Sequence, residues 1–137
     1  MSHSQIFMSF RGCDLTPIPL LPLVAILEDH GCKVAPRRGD FSFVEFPLIG
    51  DDYRIGCEGS IGFEDAATVE FGINRPYYQN KFYSLALDLV TRLDLCMFTS
   101  GGEVAFVSRE ELIADLPQAL ADVAVVVQSV KDLVDGI

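Results

Sequence analysis

Three glutamates are spaced evenly through the middle of the chain, at Glu58, Glu64 and Glu70. They lie in runs where apolar and polar residues alternate, which is typical of β-strands that bury one face. This alternation places all three on the polar face of a predicted sheet. Two neighbouring carboxylates can divide the roles of general acid and general base, so an enzyme is one hypothesis. A plain solvated face and a partner-binding surface are the other two interpretations.

Small residues share the predicted face with these glutamates. They are Gly56, Ser60, Gly62 and Gly72. Glycine weakens a strand and often marks the close approach of another backbone or a ligand. We therefore predict a shallow surface that either receives a partner or is crossed by a helix of the same protein.

Cysteine and histidine add little chemistry to the sequence. The four cysteines are far apart and form no C-x-x-C pair, so we predict no metal site and reduced thiols packed as small hydrophobes, at Cys13, Cys32, Cys57 and Cys96. His30 is two residues from Cys32, but such side chains diverge at a helix end, and no thiol–base pair is predicted. A cysteine enzyme stays an alternative to the carboxylate one.

Known catalytic and phosphate-binding patterns are absent from the sequence. The chain has no G-x-x-x-x-G-K-[ST], H-E-x-x-H or G-x-S-x-G run, and the glycines of "GCEGSIG" lack the dinucleotide-binding spacing. We therefore predict no catalytic residue and no cofactor.

The composition predicts one acidic domain over residues 1–137. Half of the residues are apolar, 22% are charged, and the formal net charge is −10. Such a charge repels nucleic acid and anionic membranes, and it speeds encounter with a basic protein. We predict a cytoplasmic protein with a basic protein partner; a homodimer stays open.

The most apolar stretch is "LTPIPLLPLVAILEDHGC", residues 15–32. Its uncharged run is too short for a membrane-spanning helix, which needs about 20 residues, and it lacks the basic start of a signal peptide. Prolines suit the first turn of a helix, Asp14 or Thr16 is a candidate cap, and Gly31 suits its end. We predict a buried helix whose shared apolar face carries Leu20, Val24 and Leu27, with Leu23 beside it.

Further patterns predict the other elements. Strands are expected over 5–10, over 41–49 before a turn at 50–52, and over 54–74, with a hairpin turn at 64–67 and a bulge at Gly59 or Ser60. A helix capped by Asn80 is expected from the spacing of Phe82, Leu85, Leu89 and Leu93. Within 95–108 we expect a short strand, a glycine turn and then a second short strand or an extended link.

The pattern of residues in the C-terminal region predicts helices. Ser108 to Glu111 matches a capping box, and apolar residues recur at helical spacing from Leu116 to Val134. Pro117 divides the region into a short helical turn and a longer final helix. The element order predicts an α+β fold, a two-layer sandwich of a mainly antiparallel sheet with helices packed on one face.

One segment resembles a known class of proteins. "ALDLVTRLDLCMFTSGGEVAFVSREELIADL", residues 86–116, is similar to the C-terminal part of small acidic bacterial proteins of immunity or antitoxin type. The resemblance covers about a quarter of the chain and rests on a pattern of elements. It implies a non-catalytic cytosolic binder that blocks a toxin's active site, and it assigns no functional residue.

Three functions are therefore predicted in order. The first is a binding protein that meets a basic partner through Glu58, Glu64 and Glu70. The second is a small-ligand or regulatory module that uses the apolar interior between sheet and helices. The third is a small enzyme that uses the carboxylates or a cysteine.

Overall fold

The computed structural model of the protein describes residues 4–47, 58–76, 78 and 80–137. Across these ranges the strands are β1 (Gln5–Arg11), β2 (Asp14–Thr16), β3 (Lys33–Val34), β4 (Phe41–Glu45), β5 (Glu58–Glu64), β6 (Ala67–Asn74), β7 (Cys96–Thr99), β8 (Ala105–Val107) and β9 (Ala124–Val126). The helices are α1 (Leu20–Asp29), α2 (Asn80–Arg92), α3 (Gln118–Ala121) and α4 (Val130–Gly136), with a 3-10 helix at Glu110–Asp115.

The strands form one sheet in the order β3-β4-β5-β6-β1-β7-β8-β9, and β2 pairs with part of β1. All described pairings are antiparallel except that of β8 with β9. A mostly antiparallel sheet combined with helices confirms the predicted α+β class. Within the described residues, no helix has both the length and the apolar character needed to cross a bilayer.

Helices α1, α2 and α4 pack on one face of the sheet, the helix face. Their buried side chains form one core cluster with strand residues that include Phe7, Phe71 and Phe106. Helix α2 begins at Asn80, and the predicted Phe82, Leu85 and Leu89 are buried because they recur on one side of the helix.

Helix α1 confirms the predicted core helix but presents a different buried side. Leu20 is 39% exposed and Val24 is half-buried, whereas the buried residues are Leu23, Ile26 and Leu27. The apolar side is therefore rotated toward Ile26 relative to the prediction. Gly31, with φ +83°, has the predicted left-handed conformation after the helix.

The predicted caps of α1 are wrong. Its N-cap is Pro19, which has no side-chain hydrogen bond at the cap. Asp14 and Thr16 lie in β2, a strand that the sequence did not predict, and the Thr16 hydroxyl donates to Ser9 Oγ at 2.8 Å. Strand β3 was also unpredicted, because two residues are too few for an alternating pattern.

The other face of the sheet is covered at one end by a smaller layer. In β7 and β8, Met97 and Phe106 face the main core, while Cys96 and Val107 belong to a second cluster on the opposite face. The 3-10 helix and α3 pack there through Leu112, Ile113, Leu116 and Leu120. The structure thus adds this small layer to the predicted one-sided arrangement.

The C-terminal helix prediction is wrong in its middle. Ser108 caps no helix: its hydroxyl donates to Asp94 Oδ1 at 3.1 Å, and Arg109 is the N-cap of a 3-10 helix. Residues Ala124–Val126 form β9 in place of helix. The β-branched side chains of Val125 and Val126 favour a strand, and pairing with the buried strand β8 outweighs the helical spacing.

Helix α4 has a capping arrangement that the sequence analysis missed. Ser129 is the N-cap, and its hydroxyl accepts a hydrogen bond from the Asp132 N–H at 3.2 Å. The Asp132 carboxylate in turn accepts from the Gln128 N–H at 2.9 Å. Two backbone donors at the start of the helix are therefore satisfied.

The central hairpin is confirmed with one change of register. β5 and β6 pair from Glu58↔Asn74 to Glu64↔Ala67, and Asp65 in the turn has φ +56°. The irregularity lies between Gly62 and Phe63, not at Gly59 or Ser60, so Thr68 and not Val69 faces Phe63. The predicted strand residues 48, 49 and 54–57 and the turn 50–52 lie outside the described residues, as do Gly56 and Cys57.

Candidate functional site

The candidate site is the side of β4, β5 and β6 that faces away from the helices. This open face consists of outward-pointing residues that belong to neither described core cluster: Phe41, Phe43, Glu45, Glu58, Ser60, Gly62, Glu64, Glu70 and Gly72. Strand alternation places them here, because the intervening Val44, Ile61 and Phe71 are buried on the helix face.

Cross-strand pairing aligns the small residues of the open face into a row. Phe43 pairs with Ser60, Ser60 pairs with Gly72, and Gly72 pairs with Ile6 of β1. Directly paired residues project to the same side of a sheet. Two small residues, Ser60 and Gly72, therefore lie between two large apolar ones, Phe43 and Ile6. Three strand spacings make this row about 14 Å long.

Phe43 is the most prominent side chain of the row. It is 49% exposed in the middle of β4, where a phenylalanine normally buries its ring. Phe41 packs against it edge-to-face, with ring centroids 4.8 Å apart and an interplanar angle of 71°. The contact orients the exposed ring, because edge-to-face aromatic pairs are favourable beyond the area they bury.

The two glycines of the open face have different surroundings. A Cβ at Gly62 would lie 2.8 Å from Glu70 Cγ, so Glu70 extends across this glycine. A Cβ at Gly72 would have Gln5 O as its nearest atom, at 3.9 Å, so the contacts of the described residues do not require glycine there. Gly72 therefore leaves a low point in the row that packing among the described residues does not explain.

The structure places all three predicted glutamates on the open face but does not gather them at one point. Glu58 and Glu64 are at opposite ends of β5, about 20 Å apart at the usual rise per residue. Glu70 pairs with Gly62, two positions from Glu64. The acids thus lie on both sides of the row along the strand direction, with Glu58 on one side and Glu64 and Glu70 on the other.

Few basic residues lie next to the glutamates of the open face. Across β3 to β6 the described acids are Glu45, Glu58, Glu64 and Glu70, and the only base paired directly with one of them is Lys33, opposite Glu45. The described residues contain no group of three or more histidine, cysteine or acidic side chains able to hold a metal ion.

His30 has a partner that the sequence did not reveal. Its Nε2 lies 2.7 Å from Asp88 Oδ2, and the two side chains are 21% and 38% exposed. The pair links the end of α1 to the middle of α2, which explains the position of His30 by helix packing. The predicted absence of a His30–Cys32 pair stays a prediction.

The described cysteines differ from one another. Cys13 is exposed rather than packed as a hydrophobe, and its thiol donates to Leu116 O at 3.3 Å. Cys96 is buried, and burial raises the pKa of its thiol to about 12 despite a hydrogen bond with the Phe106 backbone. Cys32 is buried too.

Among the site residues, Phe43 and Phe41 were missed as binding candidates. The alternation of "FSFVE" carried the signal, because Ser42 and Val44 occupy the inward positions and leave both rings outside. The usual expectation that aromatic residues face the core hid this signal.

No family model, curated protein or solved structure matches this chain.

Proposed function

We propose that the protein is a non-catalytic binding protein whose open face receives a basic protein partner. The observation that carries the proposal is the row from Phe43 to Ile6, where an exposed aromatic ring stands next to a bare strip of backbone. Protein interfaces concentrate affinity in aromatic anchors, which a rim of polar groups surrounds.

The shape of the site favours a protein over a small molecule. The row lies on the side of a sheet, and its members come from four neighbouring strands. Small molecules prefer concave sites that bury most of their surface, whereas proteins dock on broad shallow surfaces. The low point at Gly72 would accept a side chain or backbone segment of the partner next to the Phe43 ring.

Charge sets the kind of partner. Glu58 flanks the row on one side and Glu64 and Glu70 flank it on the other. The whole chain carries a formal charge of −10. A basic partner would be steered to this face by the field and held by the apolar row. The resemblance of residues 86–116 to immunity-type proteins supports a cytoplasmic inhibitor whose partner is a basic toxin.

Two substitutions on the open face test this proposal. Gly72→Val fills the low point with a residue that strands favour, and Phe43→Ser removes the aromatic anchor. Leu21→Ser is the matched control, because Leu21 is an exposed apolar residue, 81% exposed, on α1. The tagged proteins are used to capture a basic protein from the native host, and its affinity is then measured with purified components.

We expect both open-face variants to melt within a few degrees of wild type and to bind the partner about tenfold more weakly or worse. Leu21→Ser should bind like wild type. If the partner binds Gly72→Val and Phe43→Ser as tightly as wild type, the open face is not the docking surface.

A further inference from the structure

A second group of residues, on the helix face of the sheet, includes buried polar atoms that form no hydrogen bond with the described residues. Gln5 is fully buried and Thr99 is 8% exposed, and they pair directly across β1 and β7. Among the residues that the structure describes, neither Gln5 Oε1 nor Thr99 Oγ1 has a hydrogen-bond partner. Buried polar groups are nearly always paired, because an unpaired one has lost its hydrogen bonds to water without replacing them.

The remaining atoms of the group are already oriented. The Gln5 amide nitrogen donates to the Tyr78 hydroxyl at 3.1 Å, so the Tyr78 proton is free to point elsewhere. Tyr78 packs edge-to-face on Phe82, with centroids 5.1 Å apart, and lies 6.3 Å from the Tyr83 ring. These contacts hold the three aromatic rings together on the side of Tyr78, next to the Gln5 amide.

We propose that Gln5, Thr99 and Tyr78 form a binding site for a small neutral molecule with an amide-type edge. The site offers one acceptor, Gln5 Oε1, and one hydroxyl that can donate, Thr99 Oγ1. An N–H beside a carbonyl on the ligand satisfies both atoms. If the Gln5 amide is turned by 180°, its nitrogen donates to the ligand carbonyl instead, and the same type of edge still fits.

The described polar side chains of the group favour an uncharged ligand. The polar side chains of the group, Gln5, Thr99 and Tyr78, are all uncharged, and an ion buried without a counter-charge is strongly unfavourable. Tyr78 is only partly buried, which places it between the buried pair and solvent. The three aromatic rings favour a ligand with a flat apolar body attached to the amide edge.

This site is independent of the open face. Gln5 shares its side of β1 with the buried Phe7, whereas Ile6 points to the open face. It gives a location to the second predicted function, a small-ligand module in the interior between sheet and helices. The failure of either proposal leaves the other unaffected.

Benzamide is the probe for this site, since it joins an uncharged amide to a flat ring. Acetophenone, which lacks the N–H, and benzoate, which is charged, are its matched controls. Binding is followed in the full chain by NMR, through the backbone amide signals of Gln5 and Thr99. We expect benzamide to cause saturable chemical-shift changes. Acetophenone should bind with about tenfold lower affinity, and benzoate should cause no shift changes.

Thr99→Val separates a ligand site from a structural one. The substitution keeps the side-chain shape and removes the unpaired hydroxyl, so the melting temperature should be unchanged or higher while benzamide affinity falls about tenfold. Thr68→Val, a buried strand threonine remote from Tyr78, is the control and should bind benzamide normally. A lower melting temperature for Thr99→Val with benzamide binding unaltered, or no saturable shift in wild type, would overturn the proposal.

Discussion

At the scale of single residues, glycines of the sheet differ in what they permit. Gly59 lies on the helix face, where a Cβ would be 3.0 Å from the Phe46 ring and 3.2 Å from the Phe71 ring. Gly72 has no such neighbours. Packing against two aromatic rings thus requires a glycine at position 59. At position 72 the described contacts leave room for a side chain.

This difference predicts opposite effects of the same substitution. Gly59→Ala should lower the free energy of unfolding by about 1–3 kcal/mol, because an overpacked core must shift two aromatic rings. Gly72→Ala should leave it unchanged or raise it by up to about 1 kcal/mol, since alanine reduces the entropy of the unfolded chain. Urea denaturation of the two variants checks this, and equal effects would contradict the distinction.

The cysteines supply a second prediction at this scale. At pH 8 in the native protein, iodoacetamide should label Cys13 rapidly and Cys96 only when the protein opens, as measured by peptide mass spectrometry. The raised pKa of Cys96, about 12, also means that the buried neutral thiol contributes stability below about pH 9, which is lost as the pH rises toward 12. Labelling of Cys96 as fast as Cys13 would contradict its burial.

At the scale of elements, periodicity identified the long elements and failed for the short ones. Helix α2 and the β5–β6 hairpin have enough residues for a pattern to repeat. β2 and β3 exist because neighbouring strands offer pairing partners, which no local pattern records. The helical spacing of apolar residues from Leu116 to Val134 did not predict β9 correctly. Its valines form a strand, in agreement with their high strand propensity.

The cap of α4 can be tested at this scale. Ser129→Ala removes the acceptor of the Asp132 N–H and should lower the free energy of unfolding by about 1 kcal/mol. Thermal unfolding measures the loss. Ser108→Ala is the control for the predicted but absent capping box; it loses a hydrogen bond to Asp94 and should leave the helical circular dichroism signal unchanged.

The cap also predicts a dependence on pH. Hydrogen bonds from Gln128 N–H and Ser129 lower the pKa of Asp132. A lowered pKa means that this group stabilises the fold at neutral pH and that the contribution is lost as the pH falls through the folded-state pKa. Asp132→Asn should therefore reduce the gap in melting temperature between pH 7 and acidic pH relative to wild type.

At the scale of the whole molecule, the fold class and the open face with its three glutamates follow from alternation in the sequence. The sequence did not reveal that residues 110–121 form a second layer over the β7–β9 end, because this depends on where these residues return to the sheet. The Gln5–Thr99 pair was hidden for a similar reason. Only the three-dimensional register brings Gln5 and Thr99 together, since they are far apart in the sequence.

The prediction at this scale concerns the effect of long-range electrostatic attraction on the rate of association with the partner. Replacing Glu58, Glu64 and Glu70 by Gln should slow association with the basic partner several-fold and flatten its salt dependence, with little change in melting temperature. The control replaces Glu28, Glu110 and Glu111, which are exposed on α1 and the 3-10 helix. It changes the net charge equally, so an equal slowing of association by the control would show that total charge, and not the open face, steers the partner.

Strand β1 is first in the chain but central in the sheet, between β6 and β7. Phe7 pairs with Phe71 on one side and with Met97 on the other, so only the short β2 is a local partner. The sheet must close long loops before its centre exists, which slows folding and leaves β1 without β6 and β7 until these strands have been synthesised. Loss of β1 would divide the sheet into two separate halves, β3–β6 and β7–β9.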